Sequence, residues 1–142
     1  MSESPRTSKA AFASDSERFA CFAARLLADS RCENVTLLDV RGLSQVTDFL
    51  IVASGSSERM LRSVAGDLKS LAKQEGESVF RSDGAGSSEW VVIDLVDVVA
   101  HVLTPPQRAY YDLESLWGDA KRVDWQSRTT PGQFAKLDRR AG

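Results

Sequence analysis

Metal centres and disulfide frameworks are built from residues that this sequence hardly has. Its 142 residues hold two cysteines and one histidine, with Cys21 and Cys32 eleven apart and His101 remote from both. Structural zinc usually needs about four closely spaced Cys or His ligands, so neither a metal nor a cofactor is expected. Cys21 falls in an apolar helical pattern and reads as a small buried hydrophobe. No apolar run approaches the roughly 18 residues of a membrane span. The opening stretch, MSESPRTSKAAFAS, has no apolar core of a secretory signal. A bacterial-type cytoplasm is therefore the expected location.

What remains is ordinary globular material, 42% hydrophobic and 27% charged, enough for one core. The charge is unevenly placed. Basic and acidic groups cancel over residues 1–82, whereas 83–119 carry seven acids against Arg108 alone and 120–142 are net +4. Nucleic-acid binding requires a basic footprint, so the acidic block argues against it. A basic protein partner suits that block.

Hydrophobic periodicity divides the chain. Ser14 and Glu17 stand at S-x-x-E spacing before an apolar stripe of Phe19, Phe22, Ala23, Leu26 and Leu27, predicting a capped helix to about Ser30. VTLLDV (35–40) predicts a strand, RGLSQVT a connection turning at Gly42, and DFLIVASG (48–55) a strand buried on both faces. Ser56 and Ser57 offer caps for a helix with apolar positions Leu61, Val64, Ala65, Leu68, Leu71 and Ala72, which Gly76 ends. SVFR (78–81) reads as a short strand and SDGAGSS (82–88) as a flexible loop. WVVIDL (90–95) and VVAHVL (98–103), joined only by Val96 and Asp97, predict a tight antiparallel hairpin. Pro105 and Pro106 start a last helix, continued from Tyr110 to Trp117 and stopped at Gly118. Residues 1–13 are expected to be a disordered arm and 126–142 a loose tail. The whole predicts one α/β domain over 14–125, a mixed sheet of four or five strands covered by helices.

The hairpin has two unlike faces. Val91, Ile93, Leu95, Val98, Ala100 and Val102 make one of them wholly aliphatic. The other carries Trp90, Val92, Asp94, Val99, His101 and Leu103, with Val92 across from His101 and Trp90 and Asp94 diagonal to it. His101 is expected to be partly buried and bonded to Asp94 or to backbone. No Ser, Cys or second base stands at a readable spacing to make it catalytic. At 100° per residue, Ala109, Leu113, Leu116 and Trp117 share a core stripe with Tyr110 at its margin, and Tyr111 points away with Glu114 and Ser115. An exposed tyrosine beside a tryptophan-bearing hairpin marks an interface.

Four ordered blocks carry a resemblance: D-V-R-G-L-S at 39–44, T-D-F-L-I-V-A-S-G-S-S at 47–57, W-V-V-I-D-L-V-D-V-V-A-H-V at 90–102 and Y-x-L-E-x-L-W-G-D at 111–119. Over roughly residues 16–125 the chain resembles the ribosomal silencing factor family, RsfS or Iojap. The resemblance implies an α/β fold of nucleotidyltransferase-like outline. It implies a non-enzymatic factor that binds the large ribosomal subunit through ribosomal protein L-fourteen. Such a factor blocks joining of the small subunit and lowers translation when nutrients are short. The contact surface implied for this chain is Trp90, Asp94, His101, Arg108, Tyr111, Leu113, Glu114 and Ser115. Two positions depart from the family pattern: Arg59-Met60 follows the G-S-S block where many members have Arg-His, and Ser115 stands where Lys or Arg is frequent.

Two rival readings use the same residues. Gly55-Ser56 before a helix resembles the phosphate-binding turn of active nucleotidyltransferases. Yet the carboxylate pair that holds Mg²⁺ in such enzymes is missing: Glu58 follows alone, and Asp94 and Asp97 are separated by a turn. The corner is therefore expected to be structural. The other rival is a homodimeric regulator that uses the aromatic patch to bind a second copy of itself.

Overall fold

The computed structural model describes Phe12 and residues 14–79 and 81–135, without the side chains of 83–87. Most of the expected arm at 1–13 and the end of the expected tail, 136–142, lie outside the described residues. Helix α1 spans Asp15–Asp29, helix α2 Glu58–Gln74, and two short helices, α3 (Pro105–Tyr111) and α4 (Leu113–Leu116), follow the last long strand. The strands are β1 (Glu33–Asp39), β2 (Phe49–Ser54), β3 (Arg81–Ser87), β4 (Trp90–Asp94), β5 (Val98–Leu103) and β6 (Lys121–Arg122). No helix of the described residues is long and apolar enough to cross a membrane.

The strands form one mixed sheet in the order β3-β4-β5-β2-β1-β6. β2 and β5 run parallel at its centre, and the other pairings are antiparallel. Alternation along the strands sorts the core into two layers. Leu37, Phe49, Ile51, Ala53, Ile93, Val98, Ala100 and Val102 face α1 and α2, whose stripes include Phe19, Leu26, Leu27, Leu61, Leu68 and Leu71. Leu38, Leu50, Val52 and Leu103 face the other way, under Leu113, with Trp90, Val99, Trp117 and Ala120 packed around them. β2 is buried along its whole length because both of its faces are covered.

The long helices begin and end as the sequence predicts. Ser14 Oγ accepts from the Glu17 N–H at 3.1 Å, and Ser57 Oγ from the Met60 N–H at 3.1 Å. Gly76 supplies the left-handed residue after α2, with φ +75°. Cys21 is buried as expected, and Cys32 with it; burial pushes their thiols up to about 11 and about 12, so both are inert near neutral pH.

Four expectations need correction. The sheet has six strands, because SDGAGS is not a loop: Arg81–Ser87 pairs along β4, with a bulge between Gly84 and Ser87. Backbone pairing at an edge overrides the poor strand propensity of Ser, Asp and Gly, while Ser78 and Val79, expected to start a strand, lie outside it. β6 is a second addition, two residues pairing with Leu38 and Asp39. The last helix is not continuous, since Asp112 takes a left-handed conformation, φ 48° and ψ 55°, between α3 and α4.

The fourth correction concerns residues 128–134, within the expected loose tail, which are tied to α1. Arg25 donates to Thr129 Oγ1 at 2.9 Å, Arg128 pairs with the buried Glu17, and Asp29 accepts from the backbone N–H groups of Gly132 and Phe134. The Phe134 ring meets Phe22 edge to face at 5.9 Å. The Glu17 carboxylate, from the S-x-x-E pair at the start of α1, thus serves as the partner of Arg128. Ending the chain after Gln126 would strand that buried carboxylate. The expected loss is about 2 kcal/mol, a fall in melting temperature on the order of 8 °C. Thermal unfolding of the truncated chain checks this, and an unchanged midpoint would contradict it.

Candidate functional site

The face opposite α1 and α2 is only partly covered, and the residues singled out in the sequence gather there. Its foundation is the β4–β5 hairpin, in which Val92 lies opposite His101 as expected. The histidine's partner, however, is neither Asp94 nor backbone: the Trp90 indole N–H donates to His101 Nδ1 at 3.1 Å. Nδ1 is thereby an acceptor, which puts the imidazole proton on Nε2. Asp94 turns away to accept from the Val96 N–H at 2.9 Å, bracing a turn in which Val96 has a φ of 74°. That is a costly conformation for a β-branched residue, and the carboxylate offsets part of the cost.

Burial pushes the His101 pKa down to about 4, so the ring is neutral at physiological pH and is neither a proton shuttle nor a pH sensor there. Between about 4 and the ordinary value near 6.5, the unfolded chain binds a proton that the folded one refuses. Stability supplied by the neutral ring is therefore complete above about pH 6.5 and lost as the pH falls toward 4. His101→Gln can still accept from Trp90 but does not titrate. Between pH 7 and pH 4.5 it is expected to lose less thermal stability than the parent; equal losses would rule out burial of a neutral imidazole.

On this foundation stands an aromatic stack. The Tyr111 ring lies 4.8 Å from Trp90, tilted by 47°, and Tyr110 meets Tyr111 edge-on at 4.9 Å. Tyr111 is 48% exposed and Tyr110 80%. The left-handed Asp112 ends α3 immediately afterwards, its N–H donating to the Arg108 carbonyl at 2.9 Å. A helix that bends at Asp112 no longer keeps a constant 100° phase. Leu113 is buried as expected, but Leu116, expected in the core, is 73% exposed, and Ala109 is exposed as well. Leu116 lines a shallow recess with Leu43, Ser115, Trp117, Gly118 and Asp119.

The eight residues implied by the family resemblance therefore have different roles. Trp90, His101 and Tyr111 form one stack. Asp94 supports the hairpin turn, and Leu113 is a core residue. Arg108 and Glu114 are paired with each other: the guanidinium reaches Glu114 Oε2 at 2.5 Å, Ser54 Oγ at 3.0 Å and Thr36 Oγ1 at 3.3 Å. Ser115 is exposed, its hydroxyl donating to Asp112 Oδ2 at 2.5 Å. Sequence reasoning missed Leu43 and Leu116, and left Tyr110 at the edge of the core. Leu43 stands inside the D-V-R-G-L-S block as an isolated apolar residue in a turn, which is the only signal it gave.

The corner after β2 is built for packing. An added Cβ at Gly55 would come within 2.8 Å of Leu61 Cδ2, so glycine lets α2 close against the strand end. Both the N–H and the hydroxyl of Ser56 are directed at Met60 Sδ, at 3.3 and 3.4 Å. Met60, one of the two departures from the family pattern, thus occupies the donors that a phosphate would use. Among the described residues no three or more His, Cys, Asp or Glu side chains are grouped to hold a metal ion.

The family model described as "Ribosomal silencing factor during starvation" matches residues 13–141. A protein from Halalkalibacterium halodurans named ribosomal silencing factor RsfS is 42% identical over 96 residues, 68% of this chain and 82% of that protein. The Bacillus subtilis protein of the same name is 38% identical, over 68% of this chain and 81% of its own length. A crystal structure of a protein from Chromobacterium violaceum superposes with a TM-score of 0.70 at 30% identity, covering 84% of this chain and 98% of that one.

Proposed function

The chain belongs to the ribosomal silencing factor family, and on that premise we propose that it binds the large ribosomal subunit through ribosomal protein L-fourteen, in the cytoplasm, and so blocks joining of the small subunit. One observation carries the reading: an exposed aromatic surface, Tyr110 and Tyr111 on Trp90, that no chemistry within the protein requires. Tyrosine and tryptophan fixed by neighbours lose little freedom on binding, which is why such residues dominate interfaces. Asp112 directly follows Tyr111 and Asp119 lines the recess beside Leu116, and such an acidic rim attracts a basic ribosomal protein. The protein acts by occupying space and not as an enzyme. The neutral His101, engaged by Trp90, and the Met60-filled corner after β2 support that part of the reading.

The test is co-sedimentation of the protein with purified large subunits at physiological salt, followed by addition of small subunits. Binding with crosslinks to protein L-fourteen, and fewer joined ribosomes, is the expected result. Joined ribosomes forming normally in the presence of saturating protein would refute the proposal. The same apolar surface, with Leu116 and Tyr110 mostly in solvent, also suits a second copy of the chain when no ribosome is present. Such a dimer should dissociate as large subunits are added.

A further inference from the structure

Arg108 and Glu114 were placed by resemblance among the residues that touch the partner, but their geometry assigns them another task. Arg108 belongs to α3 and Glu114 to α4, on opposite sides of the bend at Asp112. The guanidinium grips three elements at once, β1 through Thr36, β2 through Ser54 and α4 through both oxygens of Glu114. Its side chain is 12% exposed, that of Glu114 24%, and the fork is already filled by partners within the protein. A two-pronged ion pair of this kind fixes orientation as well as distance.

We infer that Arg108 and Glu114 form an internal clamp, a positioning device that sets α4 on the sheet and so holds Leu116, Ser115 and Tyr111 in one binding surface, without contacting the partner. The need for such a device follows from the local sequence. α4 is a single turn, too short to be stable alone, and its only buried residue is Leu113. One apolar anchor leaves the turn free to pivot, and the ion pair across the bend removes that freedom. The free protein would then present a preformed surface, with the ordering cost met before binding.

The inference rests on the proposed ribosomal attachment only for its functional half, so the experiment has two arms. In the free protein, Arg108→Lys keeps the charge but cannot span Thr36, Ser54 and Glu114 together. Amide hydrogen exchange at residues 113–117 is expected to quicken at least tenfold in Arg108→Lys and in Glu114→Gln, with the double variant little worse than the worse single one. In the second arm, each variant should bind large subunits about tenfold more weakly at a temperature where it is fully folded, chiefly through faster dissociation. The salt dependence should stay that of the parent. A core variant, Ile51→Val, destabilised to a similar melting temperature, should bind normally, which separates positioning from general loss of stability.

Unchanged exchange together with a shallower salt dependence in Glu114→Gln would mean that the carboxylate touches a basic partner directly, and the clamp would be wrong. Weak binding by Ile51→Val as well would reduce Arg108 to an ordinary stabilising residue. If the parent itself fails to bind large subunits, the ribosomal reading falls, and the exchange arm alone decides whether the clamp exists.

Discussion

Tyr111→Ala is expected to weaken attachment to the large ribosomal subunit about thirtyfold, roughly 2 kcal/mol, while leaving the fold almost untouched. The ring is 48% exposed and rests on Trp90 at 4.8 Å, so its removal opens no enclosed cavity. What the variant loses is a rigid aromatic face held out toward solvent. Its melting temperature should fall by no more than a few degrees, since surface substitutions away from special features usually change stability little. Trp117→Ala is the contrasting case. Trp117 packs half-buried against the core layer that includes Leu38, Leu50, Leu103 and Leu113, and its truncation should lower the melting temperature by more than Tyr111→Ala does. Large-subunit binding, subunit joining and thermal unfolding measured on both variants form the test. If Tyr111→Ala blocks subunit joining as well as the parent, the adhesive surface is elsewhere on the protein.

That the tyrosine could be singled out at all, while its neighbour Leu116 was misplaced, shows where sequence reading of this chain stops. α1, α2, β2 and the β4–β5 hairpin were legible because each repeats one strong pattern over several turns or pairs. Even the register that sets Val92 opposite His101 followed from a short turn. β3 was not legible, for its residues have little preference for strands and are held by backbone pairing with β4. The bend at Asp112 was hidden for a different reason. A helical wheel assumes that the helix continues, and no glycine or proline announced the left-handed residue. Beyond the bend Leu116 moved from the expected core to solvent, and before it Ala109 is exposed too, because α3 buries none of its residues. The partner of His101 was likewise a choice among groups within reach. Which of two diagonal neighbours took the imidazole depended on the turn that claimed Asp94. The anchoring of residues 126–134 was invisible because it rests on polar contacts to α1 and one isolated aromatic contact, Phe134 with Phe22, which leave no periodic trace.

Arg25 and Thr129, two of the residues in that anchoring, also touch Trp125, and removal of this tryptophan should have the largest effect on stability. Trp125 is 5% exposed and joins three parts of the molecule. Its ring packs in the layer under α1, its indole N–H donates to the Val35 carbonyl at 3.2 Å, and the Arg25 guanidinium lies over its face at 4.9 Å. Trp125→Ala leaves a large cavity, an unpaired carbonyl on β1 and an arginine without its platform, just where Arg25 also holds Thr129 and the Gln126 carbonyl. The expected cost is about 3–5 kcal/mol, with a fall in melting temperature on the order of 15 °C. Trp125→Phe keeps an aromatic face for Arg25 but loses the hydrogen bond, and should cost about 1–2 kcal/mol. Because Trp125 packs on the α1 side of the sheet and Tyr111 stands on the other, both variants should bind large subunits normally at temperatures where they remain folded. Binding lost by folded Trp125→Phe would place part of the contact surface on the α1 side, and the separation between a stabilising face and an adhesive face would then fail.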